Sequence, residues 1–264
     1  MYTKERLLKA FFSHNDFERA RRVAETLPEP KRTQELEKIL EKCVEEGWPD
    51  DARKTAKLLG RELTSDELEK ILEKCVERGW LDGARETAKL LPEPKRTQEL
   101  EKILEKYVEK GWLDDARKTA KLLERELTSE ELEKILEKCV ERGWLDDARE
   151  TAKLLPEPKR TQELEKILEK CVEEGRPDDA RKTAKLLGRE LTSDELEKIL
   201  EKCVERGWID GARETAKLLP EPKRTQGLEK ILEKYVEEGW LDDARETAKL
   251  LPEPKRTEYL EILQ

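Results

Sequence analysis

The sequence predicts an all-α solenoid of stacked antiparallel helical hairpins, and three features predict it. A 32-residue unit recurs almost letter for letter, marked by Gly47-Trp48, Gly79-Trp80, Gly111-Trp112, Gly143-Trp144, Gly207-Trp208 and Gly239-Trp240, with Gly175-Arg176 in step. A fixed period of this size marks units that cannot bury their apolar face alone and do so by stacking. Inside each unit the apolar residues fall at helical spacing, and glycine and proline stop the helices at matching places.

The elements follow in chain order. Residues 1–32 form a divergent hairpin in which Phe11, Phe12 and Phe17 replace smaller apolar residues, the pattern of an N-terminal cap. Asn15 takes the slot that glycine holds elsewhere, as the next best residue for a left-handed backbone. Seven regular units occupy 33–256. In the unit from Ser65 to Arg96, Thr64 or Ser65 serves as N-cap, and Thr64 with Glu67 makes a capping-box pattern. Leu68, Ile71, Leu72, Cys75 and Val76 then form one apolar stripe, and Gly79 closes the first helix. The second helix starts at once. Pro49 and Pro177 mark its first position, Asp50 and Asp51 lie in its first turn where negative charge suits the helix dipole, and Leu81, Ala84, Ala88 and Leu91 make its inner stripe. It ends before Pro-Glu-Pro-Lys-Arg-Thr after Leu27, Leu91, Leu155, Leu219 and Leu251. After Leu59 and Leu187 it ends before Gly-Arg-Glu-Leu-Thr-Ser, and after Leu123 before Glu-Arg-Glu-Leu-Thr-Ser. The loops have equal length, so the expectation is a hairpin of unchanging geometry. Residues 257–264 begin another first helix, with Leu260 and Leu263 placed to cover the end of the stack.

Composition bounds the function. Charged residues are 45% of the chain and aromatic residues 5%, yet the apolar residues are periodic rather than scattered, so a folded, highly solvated array is expected. The net charge of −9, with the signs interspersed, argues against a general polyanion binder. No run of 18 apolar residues is present, so no membrane span is expected, and charges interrupt Met1 to Phe12, unlike a signal peptide. The expected location is cytoplasmic. Cys43, Cys75, Cys139, Cys171 and Cys203 share one position, which Tyr107 and Tyr235 fill in other units, so they read as buried apolar residues rather than ligands or disulfides.

Above the unit sits a longer period. Residues 33–123 match 161–251 except at Trp48/Arg176, Leu81/Ile209, Glu99/Gly227, Lys110/Glu238 and Lys118/Glu246. This pattern reads as natural duplication of a four-unit block followed by drift, because a consensus design would not place Gly227 in a helix's first turn. The alternative is a designed or structural array without a ligand.

The segment Val76-Glu-Arg-Gly-Trp-Leu-Asp-Gly-Ala84, and copies such as Val140 to Ala148, resembles the turn of tetratricopeptide and pentatricopeptide repeats. There too a glycine closes the first helix, acidic residues open the second and an alanine follows at the tight crossing. The 32-residue unit is shorter than in those families, and neither the tetratricopeptide Trp-Leu-Gly-Tyr pattern nor variable base-reading positions occur. The resemblance implies a right-handed superhelix whose first helices line a concave groove.

No catalytic constellation, cofactor motif or metal-ligand cluster is evident. His14 reads as a surface turn residue, and the recurring Asp50-Asp51 pairs suit helix starts. The expected function is therefore that of a non-catalytic scaffold binding a protein or extended peptide along the groove, by way of Glu37, Lys38, Glu41, Lys42, Glu69, Lys70, Glu73 and Lys74. A ladder formed by Trp48, Trp80, Trp112, Trp144, Trp208 and Trp240 is a second candidate surface. It reads first as packing, with partial exposure leaving room for stacking on a ligand. Glu69, Glu73 and Glu77 lie on one flank of their helix and Lys70, Lys74 and Arg78 on the other, which predicts ion pairs between neighbouring units. Single-stranded RNA binding of pentatricopeptide type and self-association through the stack ends are the alternatives.

Overall fold

The computed structural model describes residues 4–263, and among them the chain forms seventeen helices and no strand. The first helices of the hairpins are α1 (Lys4–Ser13), α3 (Lys31–Glu45), α5 (Ser65–Glu77), α7 (Lys95–Glu109), α9 (Ser129–Glu141), α11 (Lys159–Glu173), α13 (Ser193–Glu205) and α15 (Lys223–Glu237). The second helices are α2 (Phe17–Glu25), α4 (Pro49–Leu58), α6 (Leu81–Ala88), α8 (Leu113–Leu122), α10 (Leu145–Leu154), α12 (Pro177–Leu186), α14 (Ile209–Leu218) and α16 (Leu241–Ala248), with α17 (Lys255–Ile262) following. Consecutive helices pack in pairs, an all-α arrangement of helical hairpins consistent with a solenoid. The described residues form two units, 4–135 and 136–263, divided within α9. Parts of the two expected caps, residues 1–3 and 264, lie outside the described residues.

Each hairpin turn is a Schellman closure. After α5 the Trp80 N–H donates to the Cys75 carbonyl at 2.8 Å and the Gly79 N–H to the Val76 carbonyl at 3.1 Å, with Gly79 at φ +73°. Trp80 then caps the next helix through its backbone, its carbonyl accepting from Ala84 N–H at 3.0 Å. Asn15 does hold the left-handed conformation, at φ 53°. The Thr64–Glu67 capping box forms in both directions, and Thr192–Glu195 repeats it.

The core is the predicted pair of stripes with one addition and one correction. Leu68, Ile71, Leu72 and Cys75 are buried against Leu81, Ala84 and Ala88. A threonine in each regular second helix joins them: Thr55, Thr87, Thr119, Thr151, Thr183, Thr215 and Thr247 are all buried. Each satisfies its hydroxyl by donating to the carbonyl four residues back, as Thr87 does to Gly83 at 2.7 Å. Pattern reading passes over such a residue because its type is polar, although the internal bond lets it pack as a small apolar group. The correction concerns Val76, which is only half-buried, as is Val204, whereas Val44 and Val172 at the same position are buried.

That difference reflects an alternation that the uniform-hairpin expectation missed. The even-numbered hairpins open with fifteen-residue first helices entered through Pro-Glu-Pro, such as α3, whereas α5 and α13 have thirteen residues entered through a Thr cap. Equal loop length does not give equal geometry, because proline at N-cap lets the helix start two residues earlier. Neighbours consequently meet in two ways. Passing from an even to an odd hairpin, the first helices pack directly: α3 lies on α5 and α11 on α13. Gly47 sits so near α5 that a Cβ there would stand 2.5 Å from the Lys74 Cβ, and Gly175 repeats this 2.6 Å from the Lys202 Cβ. The Cys75 thiol donates to the Gly47 carbonyl at 3.5 Å, and Cys203 to Gly175 at 3.1 Å.

Passing from an odd to an even hairpin, the second helices carry the join instead. Arg21 pairs with Asp51 at 2.7 Å, Arg85 with Asp115 at 3.2 Å and Arg149 with Asp179 at 2.9 Å. The guanidinium groups of Arg21 and Arg149 are buried and also reach the Thr55 and Thr183 hydroxyls at 3.4 Å. At two alternate junctions Gly83 and Gly211 stand where Asp51 and Asp179 would be, with the corresponding arginines Arg53 and Arg181 exposed, while the sequence keeps Asp147 at the remaining one. The structural repeat is therefore two hairpins, 64 residues, rather than one.

Candidate functional site

Where an odd hairpin meets the next even one, a groove opens between their first helices, although α13 and α15 still touch. Between α5 and α7 it has a volume of about 550 Å³ and is lined by Glu69, Leu72, Glu73, Val76 and Glu77 from one side and Glu99, Lys102, Glu105 and Lys106 from the other. Between α13 and α15 the equivalent groove of about 360 Å³ is lined by Leu200, Glu201, Val204 and Glu205 against Lys230, Glu233, Lys234 and Glu237. Between α1 and α3 a groove of about 330 Å³ includes Glu5, Leu8, Lys9 and Phe12 facing Lys31, Glu35 and Lys38. The three occupy one place in the 64-residue repeat. Each has an apolar floor and a charged rim, and a lysine from the start of the later helix spans it: Lys31 to Glu5 at 2.5 Å, Lys95 to Glu69, and Lys223 to Glu197 at 2.6 Å.

The second groove is smaller because of Gly227. In α7 the corresponding residue is Glu99, partly exposed beside an exposed Thr97. In α15 both Gly227 and Thr225 are buried, and a Cβ on Gly227 would lie 2.7 Å from Leu200 Cδ1. Losing the side chain lets α15 approach α13, the usual use of glycine where two backbones close up.

The residues singled out from sequence divide accordingly. Glu69 and Glu73 line the α5/α7 groove and Lys38 the α1/α3 groove, whereas Glu37, Glu41, Lys42, Lys70 and Lys74 lie outside these linings. Leu72, Val76, Glu77 and Glu99 are groove residues that pattern reading did not single out. Val76 continues the apolar stripe without a break, and only the spreading of α5 from α7 exposes it.

The flank-to-flank pairing expected from charge sorting holds in part. Many first-helix lysines are tied to a glutamate one turn away: Lys38 to Glu35 at 2.7 Å, Lys42 to Glu46 at 2.8 Å, Lys74 to Glu77 at 2.7 Å and Lys102 to Glu99 at 2.6 Å. Two of the flank residues, Arg78 and Glu69, do pair with a neighbouring hairpin, Glu69 through Lys95. Arg78 reaches Glu46 at 2.6 Å, and the loop arginine Arg125 holds Glu101 at 2.9 Å and Glu131 at 2.8 Å. Hydrogen bonds from Lys42 and Arg78 bring the Glu46 carboxyl down to about 2. The bond from Arg61, outweighing burial, does the same for Glu67.

The tryptophans do not make a continuous ladder among the described contacts. Trp48 and Trp80 meet with centroids 5.1 Å apart, while Trp112 and Trp240 lean on Tyr107 and Tyr235 at 6.1 and 6.0 Å. The indoles of Trp80, Trp112, Trp144, Trp208 and Trp240 are 37–48% exposed. A cation two residues earlier covers four of these rings: Arg78 and Arg206 at 5.1 Å, Lys110 and Arg142 at 4.8 Å. Their faces are thus partly occupied by the chain itself. Trp48 is half-buried with an indole N–H lacking a partner, whereas Arg176 at the same place bonds Asp179 at 3.0 Å, which explains why this exchange is tolerated.

Other chemistry-bearing residues are held structurally. His14 Nδ1 lies 2.9 Å from the Ala10 carbonyl at the end of α1. The cysteines are buried thiols, and burial pushes Cys43 up to about 12 and Cys75, Cys139, Cys171 and Cys203 to about 11. Among the described residues no three acidic, histidine or cysteine side chains gather as a metal site, and no helix is long and apolar enough to cross a membrane.

No protein family matches the chain, and no curated protein does. Among solved structures the chain is similar to Ton1535 from Thermococcus onnurineus NA1, at 16% identity and a TM-score of 0.28, over 95% of this chain and 73% of that one.

Proposed function

We propose that the chain is a non-catalytic repeat scaffold that binds a protein or extended peptide across its first helices. The observation that carries this reading is the recurrence of one groove, apolar at its floor and charged at its rim, at the same place in three 64-residue blocks. A shallow, repeated depression with a few apolar side chains suits an extended ligand better than a small molecule, which favours a single deep pocket. The likeness of the turns to tetratricopeptide and pentatricopeptide repeats supports the same reading, with a right-handed superhelix placing the first helices on its inner side. Buried, reduced thiols suit a cytoplasmic protein.

RNA binding is the weaker reading, since many of the lysines that would track phosphates are engaged by glutamates one turn away. Panning a random peptide library against the immobilised chain tests the proposal. Enriched peptides that compete with one another and slow amide exchange in α5, α7, α13 and α15 support it. A library with nothing above the bare support, or peptides protecting second helices alone, overturns it. Single-stranded RNA that binds at low salt, with affinity falling steeply as salt rises, would replace it.

A further inference from the structure

The α5/α7 groove sorts its carboxylates into two kinds. Glu69, Glu77 and Glu99 are neutralised by Lys95, Lys74 and Lys102. Glu73 and Glu105 stand on opposite walls, exposed, and make no hydrogen bond or ion pair among the described residues. Leu72 and Val76 lie in the same lining. The α13/α15 groove repeats this pair, with Glu201 and Glu233 on opposite walls beside Leu200 and Val204; of the lysines in the two linings, Lys102, Lys106 and Lys234 are held by glutamates of their own helix, and Lys230 shares the α15 wall with Glu233. Two uncompensated negative charges flanking an apolar strip form a surface complementary to a cation next to an apolar side chain. Lysine and arginine also bring stems that lie along apolar surface while the charged head reaches the rim.

We propose that each of these two grooves takes a short basic amphipathic segment of a partner protein. Its apolar side chains rest on Leu72 and Val76, or on Leu200 and Val204, and its lysine or arginine lies between Glu73 and Glu105, or between Glu201 and Glu233. This assignment rests on the scaffold reading above and names the ligand's chemistry. The α1/α3 groove lies outside it, because Lys9 stands where Glu73 would be. The chain thus contains its own control site. The two acidic grooves also differ in size, about 550 against about 360 Å³, so they bind with unequal affinity.

Three synthetic peptides with the same apolar spacing, carrying Lys/Arg, Glu or Gln at the polar positions, are titrated against the full chain by calorimetry. The basic peptide is expected to bind two per chain, with Kd rising about tenfold between roughly 50 and roughly 300 mM salt as screening shortens the reach of the carboxylates. Glu73→Gln with Glu105→Gln abolishes the tighter event, and Glu201→Gln with Glu233→Gln the weaker. These side chains are exposed, and an unchanged thermal melt confirms folding. Equal binding of the Glu or Gln peptide, or undiminished binding by both double variants, overturns the charge assignment and leaves the scaffold standing. Binding of none of the three overturns it as well, and the scaffold reading falls with it only if the peptide library also returns nothing.

Discussion

Single residues decide how near two hairpins can come. Gly47 and Gly79 are the same letter in the same turn, both left-handed, yet only Gly47 touches the next first helix. Alanine at Gly79 should cost about 1 kcal/mol for the left-handed backbone alone. Alanine at Gly47 should cost about 2–4 kcal/mol, since its methyl must also displace Lys74; urea unfolding of the two variants measures the difference. Glu67 gives a second prediction. Its carboxyl falls from 4.5 to about 2 on folding, held first by Arg61 and opposed by burial. A depressed native value stabilises the fold fully above about pH 4.5, and that stability is lost as pH falls through about 2. Glu67→Gln keeps a group able to close the capping box but removes the titration. Its melting temperature should therefore depend less on pH across that window than the parent's, and parallel curves would refute this.

At the scale of helices, the two kinds of junction rest on different bonds. Where first helices part, the second helices hold through Arg21–Asp51, Arg85–Asp115 and Arg149–Asp179. Arg149→Met removes one of the two arginines on Asp179, 17% exposed, and leaves Arg176 in place, and the expected loss is about 1–2 kcal/mol. Arg181→Met, one hairpin later and facing Gly211, should change stability by less than about 0.5 kcal/mol. Comparable losses in chemical denaturation would show that the junctions are equivalent after all. Helix existence, the caps, the Schellman turns and both apolar stripes were legible in the sequence, because each rests on local spacing. The alternation was not, although the Pro-Glu-Pro and Gly-Arg-Glu loops displayed it. Which neighbour a helix leans on is fixed by contacts some 30 residues away in sequence, such as Gly47 against Lys74 and Arg85 against Asp115. The groove was hidden for the same reason. Glu73 was singled out by its place on a polar flank, whereas Val76 reads as core until α7 is seen to stand clear of it.

For the chain as a whole, stability in a stacked array is approximately a sum of unit and nearest-neighbour terms. Removing residues 33–96, a full 64-residue block, preserves the sequence of junction types, so the shortened chain should unfold in one transition. Removing 33–64 alone sets the first hairpin against one bearing Gly83 in place of Asp51, stranding Arg21. That deletion should destabilise by about 2–3 kcal/mol more than the longer one, as denaturant midpoints would show; the reverse order would remove the two-hairpin block from the account. The alternation also bears on how such a gene can change length. Near-identical tracts invite unequal crossover, and a slip of a single copy would bring mismatched partners together. Slips of two copies leave every surviving contact with its proper mate, so viable alleles should differ from one another in paired steps.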